Sequence, residues 1–340
     1  MSLAGGKLNG SKLTTQAAAS KATRGRSVLH QGLLTTLPVL SFGLALALSL
    51  TLPGQQEVVL LPYRLLLLAL TIVFALRIPA ARFSSARWRK AQQDSPFYIA
   101  AGLLVALWDL LTTKLNVLPL PFVPGPAQIA GVMVEDAETL LLSTLYSLRL
   151  LVIGFLIGSF CGIVLGVLIG WYRKWRYWLF PFIKFMGVVP ATALIPIAMI
   201  LVPSSFYAGV LLIVIAVCFP VAFMTSNGIE GVQNTYFEAA RTLGADERYL
   251  IFKVAIPGAM PAIFSGIYTA TGISFATLVV SEMIGARAGL GWYINWAKGW
   301  SNYAKVYASI IIMAITFSIV MAVIFRIRDR VLKWQKGLVK

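Results

Sequence analysis

The stretch Thr235–Pro257, TYFEAARTLGADERYLIFKVAIP, is a polar island between two strongly apolar segments. Its spacing predicts two short helices joined at a glycine. Thr235 and Glu238 stand at the N-cap and N3 positions of a capping box, where each side chain satisfies an amide of the first turn. Ala239, Ala240, Arg241 and Leu243 suit a helix, and Gly244 follows as the left-handed C′ residue that ends it. Asp246 is placed to cap a second helix running through Lys253, and Pro257 is expected to stop that helix. A helix–turn–helix in this position is a surface feature built for a partner, not a linker.

Outward from it, apolar runs lie at 32–52, 58–77, 97–113, 147–171, 186–203, 206–225, 261–281 and 306–327. Several exceed about 17 residues with almost no charge, enough for a helix to cross a hydrocarbon core. The chain has 340 residues, 59% of them hydrophobic and 12% charged, with a mean hydropathy of +0.82. A soluble domain cannot hide that much apolar surface. The expected class is an all-α polytopic membrane protein with eight spans. The first run is longer than the ~7–15 residues of a signal sequence's apolar region and reads as an anchor. In the second, a helix starting near Pro62 lets Arg64 snorkel to the interface.

Net charge is +17. Nucleic-acid binding would need that charge clustered on a soluble module, whereas here it is spread over short loops. With both termini inside, the inner segments hold five Lys/Arg in the tail, five in 77–95, four in 173–184, three in 235–257 and six in 326–340. That is 23 of the 29, the asymmetry of the positive-inside rule, and it places Thr235–Pro257 in the cytoplasm. The division of the chain is then a basic, disordered cytoplasmic tail at 1–31, two N-terminal spans with a basic loop at 32–96, a transport core at 97–335, and a short cytoplasmic tail at 336–340.

Within the core, Gly154, Gly158, Gly162, Gly166 and Gly170 form an unbroken four-residue stripe on the fourth span, which lets a neighbouring backbone approach closely. Pro190 and Pro196, with Thr192 between them, permit a bend in the fifth span, as a static kink or as pathway lining. The seventh span is the most polar, with Ser265, Thr269, Thr271, Ser274, Thr277 and Ser281 ending at Glu282. Hydroxyls at this density either bond back to their own helix or line a hydrated route. Of these, Thr269, Ser274, Thr277 and Glu282 are the pathway candidates. The following loop, Gly285–Trp300, has the glycine and tryptophan content of a re-entrant or interfacial segment.

Two cysteines, Cys161 and Cys218, and one histidine, His30, make neither a disulfide framework nor a metal site. Gly5, Gly10, Ser11 and Lys12 lack the order of a phosphate-binding loop. Without a nucleophile–base pair or a nucleotide site, the chain is not expected to be an enzyme or to bind a cofactor, and any energy source lies in a partner. The helix–turn–helix is the natural inlet for that energy.

Glu238-Ala239-Ala240, Gly244 four residues on, and Ile256-Pro257 resemble the EAA loop of ABC importer permeases. Leu118-Pro119-Leu120-Pro121, Pro124-Gly125-Pro126, Ser147-Leu148-Arg149, Ala193-Leu194-Ile195-Pro196, Ser281–Ala286 and Gly289-Leu290-Gly291 are similar to the nitrate, sulfonate and taurine branch. The likeness runs from about 97 to 335. It implies a six-helix type I importer permease core, here preceded by two extra helices, in a bacterial inner membrane. It also implies a permease dimer, most simply a homodimer, with two cytoplasmic ATPases that use ATP and magnesium and an external or periplasmic solute-binding protein. Glu238, Ala239, Ala240, Arg241, Gly244, Leu250 and Pro257 would couple to the ATPase, with Phe237, Leu243, Leu250 and Phe252 as apolar anchors. The solute would be a small anion of the sulfonate, taurine or nitrate type. Where the branch carries a Trp-Phe-Gly turn, Ile200–Tyr207 reads ILVPSSFY. A rival of another class, a stand-alone secondary transporter or channel, requires intramembrane acids, inverted repeats or a filter loop.

Overall fold

The computed structural model describes residues 35–53, 59–82, 85–118 and 120–334, so the tails expected at 1–31 and 336–340 lie outside the described residues. All secondary structure among these residues is helical, as a chain in hydrocarbon requires, since only a helix or a closed barrel pairs every backbone polar group internally. The chain divides into two compact units, Met1–Glu135 and Asp136–Lys340.

The first unit contains Thr35–Thr51 (α1), Leu61–Arg82 (α2), Ser85–Asp109 (α3) and Pro126–Glu135 (α4). At Leu110–Lys114 α3 widens into an i→i+5 turn. Phe42 and Ala45 of α1, Tyr63 and Leu67 of α2, Ala106 of α3 and Ala127 of α4 form its core. Arg64, expected to snorkel, sits in the first turn of α2. Its Nη2 donates to the Ser49 carbonyl at 2.8 Å, one of the orphan carbonyls at the end of α1.

The second unit contains Ala137–Trp171 (α5), Arg173–Met186 (α6), Ile195–Leu201 (α7), Ser205–Glu230 (α8), Asn234–Thr242 (α9), Glu247–Tyr249 (α10), Ile256–Gly285 (α11), Leu290–Gly299 (α12) and Tyr303–Val331 (α13). Six segments among the described residues are long and apolar enough to cross a membrane: Leu61–Pro79, Arg87–Lys114, Ala137–Trp171, Ser205–Glu230, Glu247–Gly285 and Tyr303–Val331. The first expected span is the shorter apolar helix α1. The fifth run, expected as one span at 186–203, holds only a 3-10 turn and α7; together with α6, which forms on the stretch 173–184 expected as an inner loop, it makes a broken pair bent by 90°. Pro190 bars Val189 from helical geometry and is itself extended, a 3-10 turn follows at Ala191–Leu194, and α7 restarts with Pro196 in its first turn.

α8 is the axis of this unit, flanked by α5 and α11. The glycine stripe of α5 explains the close fit. A Cβ on Gly158 would stand 2.9 Å from the Val214 carbonyl, on Gly162 2.7 Å from that of Cys218, and on Gly166 2.7 Å from that of Ala222. Facing the stripe, α8 presents Ile213, Val217, Val221, Thr225 and Ile229, also four residues apart, so each β-branched knob sits over a glycine. With no hydrophobic driving force between helices in lipid, such backbone-to-side-chain contact is what holds them. On the other flank Gly228 meets Ala262 and Gly266 meets Met224. α5, at 35 residues, is about 50 Å long and outruns a hydrocarbon core of ~30 Å. Its end at Trp171 therefore reaches the helix–turn–helix.

Candidate functional site

α9 begins two residues earlier than the capping box requires. Gln233 is its N-cap, without a side-chain bond, and Thr235 lies inside the helix. The capping role expected of Thr235 and Glu238 is thus not realised, and the Glu238 side chain is exposed. The stop at Gly244 follows the expectation. Its φ is +84°, Gly244 N donates to the Arg241 carbonyl at 2.9 Å, and Ala245 N donates to that of Ala240 at 3.1 Å. These are the paired 5→2 and 6→1 bonds of a Schellman turn. Asp246 then caps α10, its Oδ1 accepting from Tyr249 N at 2.9 Å.

Pro257 does not end the second helix. Leu250–Ala255 widens to i→i+5 pairing, with Ile256 N donating to the Ile251 carbonyl, and the chain runs on into α11. Proline lacks an N–H and crowds the preceding turn, and the widened turn absorbs both defects. Two expected anchors, Phe237 and Leu250, face inward. Leu250 is buried, and the Phe237 ring packs edge-on to Trp171 at 5.6 Å. Trp171 also donates from Nε1 to Glu247 Oε1 at 2.9 Å, and Arg176 pairs with Glu230. The other two anchors point outward, Leu243 at 89% exposure and Phe252 at 65%. Ala239, Arg241 and Gly244 are exposed, Ala240 and Pro257 half-buried.

Beside this pair opens a cleft of about 1020 Å³. Glu230, Glu238, Arg241 and Glu247 supply its charge, with Trp171, Phe237 and Leu250 at its base. Glu238, Arg241 and Leu250 are thus brought together from the sequence-based set. Glu247, expected with Arg241 and Arg248 to set register at the rim, also lines the cleft, whereas Glu230 and Trp171 carried no signal of their own, being a helix end and an apolar-run terminus.

The pathway candidates separate by exposure. Pro190, Pro196 and Thr269 are exposed, Thr192 is half-buried, and Ser274, Thr277 and Glu282 are buried. The hydroxyls of the seventh span bond back to their own helix: Thr269 to Ser265, Thr271 to Ile267, Ser274 to Thr271, Thr277 to Ile273 and Ser281 to Leu278. Glu282 is a clasp. Its Oε2 accepts from Ser147 Oγ of α5 at 2.9 Å and from Gly291 N at the start of α12 at 2.8 Å, while Ser147 Oγ accepts from Leu290 N. Gly289, at φ +117°, lets the chain pass, since a Cβ there would fall 2.5 Å from the carboxylate carbon. At the N-terminal end of α5, Asp136 accepts from Tyr293 of α12 and is 2.5 Å from the Lys305 ammonium of α13. Burial pushes the Asp136 carboxyl up. The bonds from Lys305 and Tyr293 and the Lys305 charge outweigh that and hold it below the usual carboxylate range. Burial, and then the Asp136 carboxylate, push the Tyr293 phenol up.

Residues 158–336 match the family model described as binding-protein-dependent transport system inner membrane component. A Brucella melitensis protein named as an ABC transporter permease is 32% identical over 191 residues, 54% of this chain and 74% of the relative. SsuC of Bacillus subtilis, named as an aliphatic sulfonates transport permease, is 31% identical, covering 57% and 70%. TauC of Escherichia coli, a taurine transport system permease, is 29% identical, covering 61% and 78%. Among solved structures, an inward-facing form of the MetNI methionine ABC transporter aligns at a TM-score of 0.49 and 20% identity, covering 58% of this chain and 98% of the other. With more than half its length matched and six described segments long and apolar enough to cross a membrane, the chain belongs to the binding-protein-dependent inner membrane components, the permeases of ABC importers.

Proposed function

We propose that α9 and α10 are the coupling element through which two cytoplasmic ATPases drive this permease. The observation that carries the reading is the tip of the pair. Leu243, a large apolar residue, stands 89% exposed on a Schellman turn whose backbone is fixed by its own hydrogen bonds. An apolar side chain held rigidly in the open is what an interface hot spot requires. Ala239 leaves room for close approach, Arg241 and Glu238 set register at the rim, and the cleft behind them accepts a partner's protrusion. As the ATPases close on ATP and reopen, the pair travels with them and shifts the balance between outward- and inward-facing states.

In this reading the chain is one subunit of a dimer, most simply a homodimer. It hydrolyses no ATP itself, and it receives its solute from an external binding protein. Both termini are cytoplasmic, as the distribution of Lys and Arg supports. Pro190, Thr192, Pro196 and Thr269 are the better candidates to line the route, being accessible within the subunit. Relatives named for aliphatic sulfonates and taurine support a small anionic solute.

The test is co-purification of the ATPase with a tagged permease, together with uptake of labelled taurine, alkanesulfonate or nitrate. Ala240→Asp and Gly244→Val should leave the protein in the membrane but reduce ATPase recovery and uptake at least tenfold. Undiminished ATPase recovery with both variants would sink the coupling role, and uptake of none of the three solutes by the wild-type complex would sink the solute class.

A further inference from the structure

α6 divides lengthwise into three strips. Leu179, Phe180 and Ile183 turn inward against α8 and the end of α5, and Arg176 on the same side pairs with Glu230. A second strip, Trp175, Trp178, Phe182 and Phe185, is exposed, Trp178 at 70% and Phe185 at 68%. The third strip, also exposed, carries Arg173, Lys174, Tyr177 and Lys184. No acidic residue occurs on the helix.

An aromatic strip beside a basic one suits the boundary between acyl chains and headgroups, where indole and phenyl rings are amphipathic wedges and cations meet phosphates. A second copy of this helix is a poor occupant, because a two-fold interface sets the same patch against itself. Like charges would then face each other with no acid to answer them. Side chains lean toward a helix's N-terminus, so Lys184 extends back toward the end that holds Arg173 and Lys174. The pairing of Arg176 with Glu230 puts that end level with the close of α8, immediately before α9.

We propose that α6 is a binding surface for anionic phospholipid in the leaflet on the helix–turn–helix side, with Arg173, Lys174 and Lys184 on the phosphates and the aromatic strip in the acyl boundary. Through Arg176 and Glu230, the headgroup charge of the bilayer bears on the last turn of α8 and so on the placement of α9. This inference rests on the membrane assignment alone and holds for any solute or coupling partner.

The test is native mass spectrometry of the purified chain in detergent with equal phosphatidylglycerol and phosphatidylcholine. The wild type should retain phosphatidylglycerol preferentially, and R173Q/K174Q/K184Q should lose that preference by roughly fivefold for each charge removed. A wild type that retains both lipids equally, or a triple variant with unchanged preference, overturns the proposal. A second measurement needs no change in charge. Brominated phosphatidylglycerol should quench wild-type tryptophan fluorescence more than that of W175F/W178F, and equal quenching overturns the placement of the aromatic strip. Cross-linking of W178C to itself in a second copy, unaffected by added phosphatidylglycerol, replaces lipid with protein as the occupant and overturns it as well.

Discussion

Substitution of Gly162 by alanine tests whether the α5–α8 contact holds the second unit together. The new Cβ would lie 2.7 Å from the Cys218 carbonyl and 2.8 Å from the Val221 Cβ. Ordinary contact begins near 3.4 Å, so one helix must retreat by about 0.7 Å. The obstacle is backbone, so no rotamer change relieves it. Because the stripe is continuous, the retreat also opens the neighbouring rungs at Gly158 and Gly166, and a gap of 0.5–1 Å forfeits about a quarter to a half of each dispersion well. Overpacking of this kind costs about 1–3 kcal/mol. Alanine's helix preference over glycine, about 1 kcal/mol in water, works in the opposite direction and must be removed by a control. Gly272→Ala in α11 provides it, since nothing lies within 4 Å of the Cβ it would add. Thermal unfolding of the two variants in one detergent should place Gly162→Ala about 1–3 kcal/mol below Gly272→Ala. Equal or higher stability of Gly162→Ala would refute the close-contact argument.

Two further predictions follow from the polar clasps. Glu282→Gln retains an acceptor for Ser147 Oγ and Gly291 N and should change little, whereas Glu282→Ala strands both donors and should cost about 1–3 kcal/mol; cysteine accessibility along α12 reads the difference, and equal labelling of both variants contradicts it. Asp136 has a folded-state pKa below its unfolded value of about 3.9, so its stabilising contribution is complete above that value and is lost as pH falls through the depressed one. Melting temperatures should therefore stay level from pH 8 to 6 on account of this group and fall below about pH 4, and Asp136→Asn should lack that component of the acid loss.

Local signals were legible in the sequence because their physics is local. The Schellman turn at Gly244 and the Asp246 cap depend on residues within one helical turn, and the glycine stripe repeats at the helix period. Most of the expected apolar runs fall on helices for the same reason, whereas 186–203 lies across the break between α6 and α7. Features decided by distant partners were not legible. Ser147 and Glu282 are 135 positions apart, and nothing in either neighbourhood foretells that α12 places its first amides between them. The carbonyl that Arg64 bonds, on Ser49, belongs to another helix, so that partner could not be read from its own neighbourhood. The failure of the capping box is subtler. Thr235 and Glu238 have the right spacing, but the helix begins two residues earlier, and a two-residue shift at a helix start leaves no compositional trace. Pro257 misled in the opposite direction, since a widened turn is a backbone solution that single-residue propensities do not encode.

The helix that Pro257 fails to interrupt has a mechanical consequence. Glu247–Gly285 is a single span of 39 residues, about 58 Å from end to end. One end is tied to Trp171 beside the proposed coupling pair, and the other carries the carboxylate that grips α12. If the pair couples to a partner as proposed, a load applied at the first end would pass along one strut to the far end of the second unit, with no loop between. Stiffness is uneven along it, for the widened turn at Leu250–Ala255 is the place where the strut can twist or flex at least cost. The residues that set that compliance, more than those that touch a partner, would govern how much of a stroke at Leu243 reaches α12.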